Sequence, residues 1–191
     1  MRGSTHLLLG ALAGLPVGRL AGGGPVLGLC TAAGALGGLL PDLDHAGSLL
    51  GRYLPWPAVE AADPRTGFVR HGRRWFEGRV LWHRHETHSF GAAVLAGALG
   101  CGGGLWVGRR LGPALHETTP AFALVLGAAV LAGYLSHLAA DLPPPQMLLW
   151  PLSRRLVRPR WLPAVAEDSA AGAALEWSVA LAAAAYRILR P

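Results

Sequence analysis

The sequence predicts an all-α fold: a polytopic transmembrane bundle of about five helices, interrupted by one long polar loop. Three observations carry this. Of the 191 residues, 52% are hydrophobic and the mean hydropathy is +0.36, which suits a small integral membrane protein better than a soluble domain. Residues Ala21–Leu40 and Phe90–Gly108 carry no charge, and Pro120–Ala140 has only Tyr134, Ser136 and His137 as notable polar groups. Each of these runs approaches the roughly 20 residues that cross a hydrocarbon core. Small residues recur four apart at Gly10/Gly14/Gly18, Gly34/Gly38 and Gly100/Gly104/Gly108, a spacing that lets helices approach closely in lipid.

The elements follow in order within a single membrane-embedded domain, 1–191. The first apolar segment, His6–Leu20, is short and interrupted by Pro16 and Arg19. A signal peptide is its rival reading, with Arg2 ahead of it and small residues near Ala13-Gly14, but cleavage would discard His6. Ala21–Leu40 is the second segment. Residues 46–82 are then rich in arginine, tryptophan and proline and read as a polar loop with short interfacial helices; loops of that length usually have a task. Phe90–Gly108 and Pro120–Ala140 are the third and fourth segments. Residues 142–168 open on Pro143-Pro144-Pro145 and set Trp150 and Trp161 beside Arg154, Arg155, Arg158 and Arg160, the pattern of an interfacial belt. The fifth segment, Ser169–Tyr186, encloses Glu176. An ionisable group that deep in an apolar helix is costly, so function is its default reading.

The net charge of +6 comes entirely from arginine, since the chain has no lysine. The arginines flank apolar runs, so the positive-inside rule explains them more economically than nucleic-acid binding does. Membrane lipids and a small-molecule or lipid substrate are the expected partners, and oligomeric state is not readable. Cys30 and Cys101 lie within apolar runs and read as small buried hydrophobes rather than a disulfide framework or thiolate metal site.

Four His/Asp clusters sit where apolar segments begin or end: Thr5-His6, Pro41-Asp42-Leu43-Asp44-His45, His83 to Ser89, and His137 with Asp141. If each segment crosses once, two up-down hairpins return every cluster to the same side. His6, Asp42, Asp44, His45, His83, His88, His137 and Asp141 then form one layer of candidate metal ligands. The arginines between Arg52 and Arg84 and between Arg154 and Arg160 fall on that side, which predicts a cytoplasmic site face on an integral protein of the bacterial inner membrane.

His137 and Asp141 are spaced i,i+4 and project from one helix face; a plain His–Asp hydrogen bond is the bland alternative. Asp42 and Asp44 follow Pro41 at a helix end, against the alternative of a solvated turn. His83 and His88 bracket a tight segment in which Thr87 or Ser89 can cap the next helix. His85-Glu86-Thr87-His88 is one residue short of the H-E-x-x-H zinc helix, and Glu86 reads as a loop acid. His71 and His116 receive no role. Imidazole and carboxylate without thiolate suit Zn²⁺ best, with Mn²⁺ or Fe as alternatives, and the donors suffice for one or two ions.

At these same residues the chain resembles the YdjM-type family of membrane-bound metal-dependent hydrolases (domain of unknown function 457). The resemblance rests on Thr5-His6, Leu40–His45, His83–Ser89, Gly133–Asp141 and Trp150–Leu152, in order over most of the chain. It departs at His85, which stands where the family has glycine, offering a different loop backbone or an extra ligand. A family glutamate in the last helix corresponds to Glu176. The family is more distantly similar to zinc-dependent phospholipase C-like folds, which implies phosphoester chemistry. The expectation is therefore a membrane hydrolase of ester or phosphoester substrates, lipids among them. In it Glu176 and Asp44 handle protons and Arg84 pairs with substrate phosphate. The alternative is a non-catalytic membrane protein with a structural or sensing metal site.

Overall fold

The computed structural model describes residues 3–62, 69–75, 79–115, 119–142 and 146–157. The predicted fifth segment, with Glu176, lies outside the described residues, as do Pro143–Pro145, Trp161, Arg158 and Arg160.

Four helices are described: α1 (Gly3–Leu20), α2 (Gly24–Leu39), α3 (Phe90–Leu115) and α4 (Thr119–Ala140). α1 and α2 form one antiparallel hairpin and α3 and α4 a second, joined mainly through α4 against α1 and α2. The turn between α1 and α2 holds Gly22, Gly23 and Gly24 at φ of 111°, 74° and 55°, backbone that only glycine adopts without steric cost. α2 tightens into a 3-10 turn over Leu40–Asp44. Gly24–Asp44, Phe90–Arg110 and Pro120–Ala140 are long and apolar enough to cross a membrane.

The small-residue spacing in the sequence becomes backbone-to-backbone packing. Thr5, His6, Gly10, Gly14 and Gly18 are the buried residues of α1. A methyl group at Gly10 would strike the Gly34 carbonyl, one at Gly14 the Cys30 carbonyl, and one at Gly38 the His6 carbonyl. The antiparallel register His6/Gly38, Gly10/Gly34, Gly14/Cys30 follows directly. Gly133 of α4 abuts Gly34 in the same way, and Gly100 and Gly104 of α3 meet Val130 and Ala123 of α4. Two apolar clusters fill what remains, Val26, Cys30, Phe122, Leu126 and Ala129 in one and Ala93, Ala96, Val130, Tyr134, Leu138 and Leu148 in the other. Leu95, Leu99, Trp106 and Leu124 face outward, as a lipid-facing surface requires.

The all-α expectation needs correction. The polar loop contains a three-stranded antiparallel sheet, β1 (Ala58–Ala62), β2 (Val69–Trp75) and β3 (Arg79–Trp82), in the order β1-β2-β3. Its anchor is Arg73, 6% exposed. The Arg73 guanidinium donates to the carbonyls of Leu54, Trp56, Ala46 and Gly51, tying the stretch after the 3-10 turn to β2. Among the described residues of this loop, a 3-10 turn forms at Gly51–Tyr53 in place of the interfacial helices expected. Beyond α4, Gln146 and Val157 pair as an isolated antiparallel bridge around a turn with a cis Trp150–Pro151 bond. That turn packs on the start of α3, where Phe90 donates to the Leu148 carbonyl at 2.9 Å.

Candidate metal centre

The helix ends meet as parity predicted. The start of α1 brings His6, the end of α2 Asp42 and Asp44, the approach to α3 His83 and His88, and the end of α4 His137 and Asp141. All lie at one end of the bundle. Asp42, His88, His137 and Asp141 offer ligand atoms mutually within 4.8 Å, and Asp44, His83 and His88 form a second such group.

Local structure fixes which nitrogens face inward. His137 Nδ1 lies 2.7 Å from the Gly38 carbonyl, which can only accept, so Nδ1 carries the proton and Nε2 presents a lone pair. Thr87 Oγ1 donates its single proton to Asp44 Oδ2 at 2.5 Å and therefore accepts from His88 Nδ1 at 3.3 Å. His88 Nε2 is thus also a lone pair. The two Nε2 atoms face each other at 3.2 Å, an unfavourable meeting of acceptors unless a cation lies between them.

The distances fit an ion. For ligand bonds of about 2.0–2.2 Å, tetrahedral geometry puts donor atoms about 3.3–3.6 Å apart. Around the four-residue group the observed separations are 3.2 Å for His88–His137, 3.6 and 3.5 Å from Asp42 Oδ1 to His88 and His137, and 3.7 Å from Asp141 Oδ2 to each imidazole. The side chains of His88 and His137 are 0% exposed, Asp141 4% and Asp42 12%. Asp42, this buried and facing the imidazole lone pairs, would be stabilised by the charge of a divalent cation held among them.

The remaining predicted residues surround this core. His6 Nε2 meets Asp141 Oδ1 at 3.3 Å, and its ring stacks on His137 at 3.7 Å. It stands behind Asp141 and belongs to neither group, as an orienting partner would. Asp44, fully buried, accepts from His83 Nδ1 at 3.1 Å as well as from Thr87. His45 stacks obliquely on His83 at 4.9 Å. Arg84 Nε reaches Asp141 Oδ2 at 3.9 Å. The Arg84 backbone sits at φ 64°, and its carbonyl accepts from Met147 at 3.2 Å. His85 belongs to neither group; its carbonyl accepts from the His88 amide at 3.1 Å, so it shapes the turn. Ser89 caps α3 by accepting from Ala92 at 3.1 Å.

Burial keeps the imidazoles outside the membrane-spanning segments neutral. Burial pushes His45 down to about 4. Burial, then the Arg84 charge, pushes His83 down to about 3, and burial lowers His88 too. Burial alone would raise Asp141, but the hydrogen bond from His6 beside it holds its carboxyl well below the usual carboxylate range. Neutral imidazoles beside an ionised carboxylate are the protonation states that metal ligation requires.

Two participants escaped the sequence reading. Thr87 was a candidate cap but instead links Asp44 to His88, and its carbonyl accepts from the Tyr134 hydroxyl. His71 meets His45 edge-on at 5.6 Å, because the strand register carries it to the site. No spacing rule could signal either contact.

The fold and site together define a membrane-spanning helical bundle with a metal-competent His/Asp cluster at one end. The sequence profile of a family described as YdjM inner membrane protein matches residues 1–190, and the chain belongs to that family. It is an integral protein of the inner membrane. Comparison with curated proteins and with solved structures finds no match.

Proposed function

We infer that the chain is a membrane-bound metal-dependent hydrolase of ester or phosphoester substrates, with lipids among the candidates. The observation that carries the reading is the adjacency of two potential ligand groups sharing His88, one with four protein donors and one, Asp44/His83/His88, with three. A three-donor group leaves room for a reactant, as catalytic sites do. Zn²⁺ suits the donor set best, with Mn²⁺ or Fe as alternatives. A divalent ion bound there supplies Lewis acidity toward a carbonyl or phosphoryl oxygen and lowers the pKa of water.

The chain's own residues supply the rest. Arg84, 25% exposed beside Asp141, binds and orients an anionic substrate group. Asp44 holds His83 and, through Thr87, His88 in their required tautomers. Asp42, the most accessible carboxylate of the four-residue group, takes a proton from attacking water in this reading. Glu176, outside the described residues, keeps the proton-handling role implied by the resemblance. Arg73, bonded to the Ala46 carbonyl next to His45, and Arg84, beside Asp141, lie at the site end, which supports a cytoplasmic site face.

A second reading, a structural or sensing metal, is favoured by one observation: the four-residue group is closed and deeply buried, as structural sites are. Elemental analysis of the purified protein, combined with turnover on a panel of lipid and phosphoester substrates, separates the two. Two ions and turnover abolished in His83→Ala support the hydrolase. One ion with no turnover supports the second reading, and no bound ion overturns both.

A further inference from the structure

Six imidazole rings form a continuous file from the outer face of the sheet to the deepest point of the site. Successive centroids are 5.6 Å apart for His71–His45, 4.9 Å for His45–His83, 4.8 Å for His83–His88, 5.1 Å for His88–His137 and 3.7 Å for His137–His6. Side-chain exposure falls along it, from 47% at His71 to 20% at His83 and 0% at His88 and His137. At the outer end Glu60, 68% exposed, places Oε1 3.2 Å from His71 Nδ1. Strand register makes this pair, since Glu60 and His71 are direct neighbours across β1 and β2. The buried four-residue group has no comparable exposure, so an ion reaching it must shed its water on the way. Donors spaced by one ring allow it to exchange water for imidazole in steps.

We propose that Glu60 and His71 form a peripheral capture site for a divalent transition-metal ion, which His45 passes inward to the two ligand groups that meet at His83 and His88. This rests on the metal-site reading above. The imidazole-rich file selects Zn²⁺-like ions over Mg²⁺ or Ca²⁺, which favour all-oxygen shells. Each step exchanges one coordination bond for another and needs no oxidant or reductant. His71 and Glu60 assist arrival and contribute nothing to the final coordination shell.

The test is the rate of ion uptake by the full, detergent-solubilised chain after stripping with chelator, followed as Zn²⁺ leaves a chromophoric chelator in stopped flow. His71→Ala is expected to slow uptake roughly tenfold while final stoichiometry and the competition midpoint stay at wild-type values. Glu60→Gln is expected to slow it less. Wild-type uptake rates in His71→Ala would overturn the proposal, as would a parallel loss of final stoichiometry, which would make His71 part of the resident site. His137→Ala separates the two readings: it should lose bound ion at equilibrium. If the unsubstituted chain takes up no ion, the metal site itself fails and the path fails with it.

Discussion

Thr87 has one hydroxyl proton and two neighbours that want it used differently. Giving that proton to Asp44 forces the oxygen to accept from His88 Nδ1, so a small side chain sets which imidazole nitrogen faces the site. Thr87→Val should therefore weaken metal affinity by roughly tenfold, and Thr87→Ser should retain it, measured by chelator competition. The histidines also predict a pH response. His45 and His83 are held down to about 4 and about 3 against an ordinary value near 6.5, so below about pH 6.5 the unfolded chain binds protons that the folded chain refuses. Stability of the metal-free protein should be full above pH 6.5 and decline as pH falls toward 4 and then 3. Thermal unfolding across a pH series checks this, and His45→Ala should flatten the upper part of the decline.

At the scale of elements, the helices were legible and the sheet was not. Uncharged runs near membrane-spanning length identify α2, α3 and α4 from composition alone, and α3 simply runs on through Arg109 and Arg110 to Leu115. β2 reads Val-Arg-His-Gly-Arg-Arg-Trp, without the alternation that marks a strand. It is held by Arg73, whose guanidinium satisfies carbonyls 17 to 27 residues away. Such non-local bonds leave no local trace, and the position of His71 was hidden with them. Arg73→Met should destabilise this region by roughly 1–3 kcal/mol, seen as faster amide exchange in residues 46–57 and β2 with the helices unaffected. On the helical side, Gly34→Val should cost about 1–3 kcal/mol or more, because α1 and α4 both close on that position; thermal unfolding in detergent measures it.

For the whole molecule, the convergence of the His/Asp clusters was readable because helix parity is a global constraint that needs only a crossing count. Roles within the cluster were less readable. His6 and His45 entered as ligands equal to His88, yet three-dimensional distances put them beside the two potential ligand groups. An ion that binds only the folded state at a thousandfold above its dissociation constant stabilises by about 4 kcal/mol. Chelator treatment should accordingly lower the melting temperature of the wild type, and the drop should be smaller in His137→Ala.

The close approach at Gly38 ties architecture to chemistry. Its Cα side receives the His6 carbonyl, while its own carbonyl holds His137 Nδ1. A single added methyl at that residue would wedge α1 away and tilt the imidazole together. One position therefore governs two properties at once, how closely the helices approach and how that ring is aimed.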